Sequence, residues 1–194
     1  MSMQLDKVQP KNKIQLEQLI GYAFKHNIYD LNFIDTSKIT NMSNLFANCE
    51  YDIDVSNWDV SNVTNMYNMF YCCKNFDCDL SNWNVSNVTD MYSMFIACEN
   101  FKGKGLENWD VSNVKDIGSM FAGCENFNCD LSNWDMSNVT DMGYAFIDCE
   151  KFKGKGLENW DVSNVTNMRR MFDGCNKLTI PNWYKKLYIV KNKI

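Results

Sequence analysis

The chain has 194 residues, 45% of them hydrophobic and 22% charged, with a net charge of −5. Such a composition fits one folded domain with a buried core, and only 2 Pro and 9 Gly exclude collagen-like and Pro/Gly-rich disordered classes. Residues 1–30 carry four Lys against three acids and residues 179–194 four Lys and no acid, so the middle is strongly acidic, which argues against nucleic acid as a partner.

The opening MSMQLDKVQPKNK lacks the apolar stretch of a secretory signal, an expectation that leaves a cytoplasmic location open. No apolar run approaches the length that spans a bilayer. Residues 11–26, KNKIQLEQLIGYAFKH, predict an amphipathic helix with Ile14, Leu19, Ile20, Ala23 and Phe24 on or near one face, bordered by Pro10 and Asn27. Residues 1–30 then form an N-terminal cap.

A repeat fills residues 31–178. Trp58, Trp83, Trp109, Trp134, Trp160 and Trp183 stand 25, 26, 25, 26 and 23 residues apart, a period at which short units stack on one another. Six copies of L-S-N-W-D-V-S-N-V-T-N-M-x-x-M-F-x-x-C-x-x-F are legible, the first degenerate, with Ile34 at the Trp position. The stretch CENFKGKGLENWDVSNV at 98–114 returns at 149–165 with one change, so a 51-residue pair was duplicated.

Within each copy, W-D-V has period two and predicts a short strand stacking in parallel on its neighbours. In the following segment Val63, Met66, Met69, Phe70 and Cys73 recur at one-face helical spacing, predicting a short helix capped by Ser61 or Asn62. Residues 179–194 form a C-terminal cap, read as a strand guarded by Lys. The predicted fold class is therefore an α/β solenoid, a leucine-rich-repeat-like stack of short parallel strands and short helices with an N-terminal helical cap.

The columns admit a chemical reading and a packing one. Met at helical spacing beside Phe is adaptable core filling. The Cys column, Cys49, Cys73, Cys98, Cys124, Cys149 and Cys175, forms a line rather than the tight cluster a metal needs. Nine Cys cannot all pair within the chain; buried free thiols are expected, with bridges between adjacent rungs as the alternative. Gly103-Lys104-Gly105 and Gly154-Lys155-Gly156 lack the spacing and the Ser or Thr of a phosphate loop. His26, the one histidine, has no nucleophile placed beside it by any motif, so no enzyme, cofactor or metal site is expected.

The stretch DLNFIDTSKITNMSNLF at 30–46, the repeated W-D-V-S-N-V-T-N-M-x-x-M-F-x-x-C and the opening PKNKIQLEQLI resemble the BspA-type leucine-rich repeat surface proteins of bacteria. That resemblance covers nearly the whole chain. It implies a right-handed solenoid, a surface or secreted location, and a role in adhesion or in binding a host or partner protein. If W-D-V is the inner strand, its middle residue lines the concave face, which makes Asp35, Asp59, Asn84, Asp110, Asp135 and Asp161 one acidic strip for a protein partner with a basic surface. The alternatives are a carbohydrate- or calcium-linked module using the Asp and Asn ladders, and a purely structural spacer.

Overall fold

The computed structural model describes residues 7–191, with side chains as far as residue 187. Asn12 opens helix α1, Lys13–Lys25, by accepting from the Gln15 amide at 3.0 Å, one of the donors that a helix start leaves open. Leu16, Ile20 and Ala23 recur at helical spacing and form its buried face. Asn27, at φ 56, turns the chain out of the helix. Lys13 Nζ donates to the Ser43 carbonyl, tying α1 to the first repeat. Residues 1–6 of the predicted cap lie outside the described residues.

From residue 31 the backbone climbs one repeat at a time, and its hydrogen bonds correct the predicted fold class. Among the described residues there is no strand, only isolated parallel bridges such as Asn65↔Asp90, Asp90↔Asp116 and Asp116↔Asp141. Nor do the repeats contain the predicted helices: apart from two single 3-10 turns, Leu106–Asn108 and Leu157–Asn159, each rung is built of tight turns. An α/β solenoid of stacked strands and helices does not form.

The physical reason lies in how the amides are shared. In the second rung the amides of Met66, Asn68, Phe70 and Cys72 donate upward to the carbonyls of Asp90, Tyr92, Met94 and Ile96 at 2.7–3.0 Å. Met69, Tyr71 and Cys73, lying between them, donate three residues back to Met66, Asn68 and Phe70 at 3.0–3.1 Å. An α-helix would spend all of these donors inside itself, four residues back. Here Asn68 (φ 54) and Cys72 (φ 58) adopt the left-handed region, which no continuous helix tolerates, and the equivalent residues of every other rung do the same. The W-D-V segment behaves alike. Trp58 N closes a turn onto Val55 O and Val63 N onto Val60 O, at 3.1 and 2.9 Å. Trp58 and Val60 are nevertheless buried and Asp59 is exposed, so the alternation holds without a strand.

Side chains repeat as ladders through the core. Phe46, Phe70, Phe95, Phe121, Phe146 and Phe172 stack with ring centroids 5.4–5.8 Å apart. Each Trp from Trp58 to Trp183 donates its indole N–H to a carbonyl one rung below, from Leu31 O under Trp58 to Leu157 O under Trp183, at 2.7–3.3 Å. A buried indole thereby keeps the partner it needs. The thiols of Cys73, Cys98, Cys124, Cys149 and Cys175 donate likewise to Phe46, Phe70, Phe95, Phe121 and Phe146 carbonyls, at 2.8–3.0 Å.

All nine Cys are free thiols. Burial raises Cys98, Cys124 and Cys149 well above the ordinary thiol range and pushes Cys73 up to about 12. Unreduced protein is therefore expected to titrate close to nine thiols once denatured and far fewer while native, read with a chromogenic disulfide reagent. A denatured count well short of nine would mean bridges between rungs.

The chain closes with helix α2, Asn182–Lys191, where the alternation in KKLYIV predicts a strand. Pro181 sets up its first turn, with Lys185 N donating to Pro181 O, and Trp183, Tyr184 and Leu187 pack on the core from one helical face. The end of the predicted strand, residues 192–194, lies outside the described residues. No described helix is long and apolar enough to cross a membrane.

Candidate functional site

The predicted strip is a real column of this surface. Asp59, Asn84, Asp110, Asp135 and Asp161 are exposed, one per rung, and Asp35 is half-buried at the foot. Each is held by its own turn: Oδ1 accepts from the amide two residues on, that of Ser37, Ser61, Ser86, Ser112, Ser137 or Ser163, at 3.0–3.1 Å. This side-chain turn explains why Asp or Asn followed by x-Ser is repeated here. Asp35 Oδ2 also accepts from Gln9. For Asp59, Asp110, Asp135 and Asp161, no described residue bonds Oδ2, so one carboxylate oxygen per rung faces solvent. The Ser hydrogen bonds hold Asp35, Asp135 and Asp161 below the usual carboxylate range.

A second polar ladder runs through the parallel bridges: Asn41, Asn65, Asp90, Asp116, Asp141 and Asn167. Sequence reasoning read the segments that contain these residues as short helices and missed that the residues stack. The clue was the unbroken Asn/Asp column just before Met or Ile. Each accepts from the amide two residues on, as in Asp116 with Gly118 N at 2.7 Å. Asn167 Nδ2 covers both oxygens of Asp141 at 3.0 Å, and Asn65 lies against Asp90 at the other end. Asp116 stands between two carboxylates with no side-chain amide beside it, only the Gly118 backbone N–H. Burial and the charges of Asp141 and Asp90 raise its pKa above the usual carboxylate value.

This has a testable sign. A carboxyl whose folded-state value is raised costs stability wherever it is ionised, and the cost fades as pH falls through that raised value. Asp116→Asn is expected to raise the melting temperature at neutral pH, with an advantage that shrinks in acid. Asn at positions 41, 65 and 167 fits the same column. Thermal melts of both proteins across the acid range read the effect; an advantage that stays constant with pH would contradict it.

The linkers carry charge ladders instead. Lys104 Nζ meets Asp79 and Lys155 Nζ meets Asp130, both at 2.6 Å, and Lys74 meets Glu99 at 2.7 Å. Lysine and then serine contacts hold Asp79 and Asp130 down at about 2. Of the glycines on either side of Lys104 and Lys155, Gly105 and Gly156 let the loop approach the rung below, with Lys104 O accepting from Leu80 N at 3.1 Å, and Gly103 and Gly154 make room for Phe127 and Leu178 of the rung above. Cys78 and Cys129 sit in these linkers beside Asp54 and Glu107. No group of three or more His, Cys, Asp or Glu among the described residues has metal-binding geometry. A shallow hollow of about 340 Å³ near the N-terminal end is bordered by Phe24, Phe46, Glu50 and Tyr51.

Exposed aromatics break the polar surface in several places, one of them a column. Tyr67 and Tyr92 stack at 5.6 Å, and Tyr92 lies over Gly118, where a side chain would collide with the ring. The two arginines, Arg169 and Arg170, occupy the last rung, Arg169 over the Tyr144 ring and Arg170 bonded to Asp173 at 2.7 Å.

A family model described as "Mycoplasma protein of unknown function, DUF285" matches the chain twice, over residues 14–104 and 97–191. No curated protein and no solved structure matches.

Proposed function

We propose, from the premise that the chain belongs to the DUF285 family of Mycoplasma proteins of unknown function, that it is a non-enzymatic repeat module that binds a protein partner with a basic surface. The observation that carries this reading is the exposed ladder Asp59, Asn84, Asp110, Asp135 and Asp161, one residue per rung. Its carboxylates repel one another, yet each is fixed in direction by the turn it closes and keeps an oxygen for solvent. A pre-ordered line of charge loses little side-chain freedom on binding, and complementary charge speeds encounter and selects the partner. The likeness of its repeats to BspA-type surface proteins supports adhesion as the setting.

The test uses a change that keeps the turns. In the variant Asp59→Asn, Asp110→Asn, Asp135→Asn the amide oxygen still accepts from the Ser amide, as Asn84 does in the native chain. Adhesion of the purified protein to cultured host cells, followed from low to high salt, is expected to fall in the variant and to lose its salt dependence. Unchanged adhesion with unchanged salt dependence would sink the reading. Protease shaving of intact source cells tests the setting: protection of the chain until lysis removes adhesion from it.

A further inference from the structure

The upward amides of each rung form a row that ends in the open. In the fifth rung Met142, Tyr144, Phe146 and Asp148 donate to the carbonyls of Asn167, Arg169, Met171 and Asp173 at 2.7–3.0 Å. Their equivalents in the last rung, Met168, Arg170, Phe172 and Gly174, have no hydrogen-bond acceptor among the described residues. Helix α2 closes the apolar end, with Tyr184 5.0 Å from Phe172 by ring centroids, but no described residue of α2 accepts from the row. Arg170 and Gly174 are exposed. Unsatisfied main-chain donors at an edge are a template for another chain.

The row selects its occupant. It offers donors only, because the carbonyls of Met168, Arg170 and Phe172 are taken by the turns that close at Met171, Asp173 and Cys175. Two such edges cannot pair with each other, since donors would face donors. In the matching acceptor row of this chain, at the first rung, the Ser43 carbonyl is already taken by Lys13 of α1. A second copy is thereby disfavoured on both counts. Charge points the same way: residues 165–187 hold five Lys and Arg against one Asp, and both arginines of the chain stand on this rung.

We infer that the C-terminal edge of the stack, the amides of Met168, Arg170, Phe172 and Gly174 flanked by Arg169 and Arg170, docks an acidic segment of a partner protein, which takes up the turns of one more rung and accepts through its carbonyls. This shares with the reading above only the premise of protein binding. The Asp-to-Asn variant tests the other surface and leaves this one untouched, so the two fail separately.

The chain supplies its own probe. Residues 137–150 lie on the equivalent edge of the rung below, where Ile117, Ser119, Phe121 and Gly123 amides reach Asp141, Gly143, Ala145 and Ile147 carbonyls at 2.8–3.1 Å. That segment carries three acids and no base. A fluorescent synthetic peptide of this sequence, with Ser for Cys149, is titrated into the full chain by anisotropy, alongside a scrambled peptide and phosphatidylserine vesicles. Saturable binding of the ordered peptide is expected, with slowed hydrogen exchange at the four amides. The pair Arg169→Glu and Arg170→Gly, the second compatible with the φ of 52 there, is expected to weaken binding by about tenfold or more. Absence of saturable binding overturns the proposal. So does equal binding of the scrambled peptide, binding that leaves the four amides unprotected, or capture by the vesicles alone.

Discussion

Replacing Gly105 by Ala is expected to destabilise the protein by about 3 kcal/mol or more, and Gly156→Ala by a similar amount. Both glycines have φ 94, a conformation that side chains resist. The stronger cause is space. A Cβ on Gly105 would run into the Ser81 amide and stand 2.6 Å from the Leu80 carbonyl carbon; on Gly156 it would meet Ser132 and Leu131 in the same way. Those obstacles are backbone, held by the hydrogen bonds from Leu80 N to Lys104 O and from Leu131 N to Lys155 O, so neither side can yield cheaply. Gly21 supplies the control. It lies inside α1 with nothing within 4 Å of its would-be Cβ, and Gly21→Ala is expected to add up to about 1 kcal/mol. Denaturant unfolding of the three variants reads the result. A small loss at Gly105, comparable with an ordinary surface change, would show that the linker does not pack this closely.

Trp109→Ala is expected to cost about 3–5 kcal/mol, and Trp109→Phe less but still about 1–3 kcal/mol. Trp109 is 2% exposed, stacks on Trp83 with centroids 6.2 Å apart and nearly parallel planes, and lies 6.5 Å from the Phe95 ring. Alanine removes that ring and leaves a cavity in the middle of the stack. Phenylalanine keeps most of the apolar volume but abandons the Leu80 carbonyl, which receives the indole N–H at 3.3 Å. Repeat stacks couple each unit to its neighbours, so the loss at a central rung is felt by both halves. Trp183→Ala, on the half-buried last member of the column, is expected to cost less. Equal losses at Trp109 and Trp183 would mean that the column does not share load along the stack.

The period of the repeat, the free-thiol reading of the Cys column and the buried columns within the repeats were legible in the residues themselves, whereas on α1 the buried face is Leu16, Ile20 and Ala23 and Ile14, expected there, is exposed. Val63, Met66, Met69, Phe70 and Cys73 are buried as their spacing implies, and Trp58 and Val60 flank an exposed Asp59. The conformation was not legible, because that spacing describes which residues face inward and several backbones satisfy it. A two-turn helix and a run of tight turns both place positions +3, +6, +7 and +10 on one side. The Asp strip was found from its column, but its internal role was not, since the hydrogen bond to Ser two residues on belongs to a turn that the strand reading had excluded.

Sequence by itself determined how many rungs there are, what lines the core and where the charge lies, because these follow from composition at a fixed period. Tertiary structure alone decided the rest. An isolated repeat has no neighbour to accept its upward amides, and a short helix is marginal by itself. Once rungs stack, four of the eleven amides in V-T-N-M-x-x-M-F-x-x-C find carbonyls on the next rung, and the chain accepts left-handed residues at Asn68, Cys72 and their equivalents to aim them there. The same directionality leaves the last rung with a row of donors, a feature that belongs to the stack and to no single repeat.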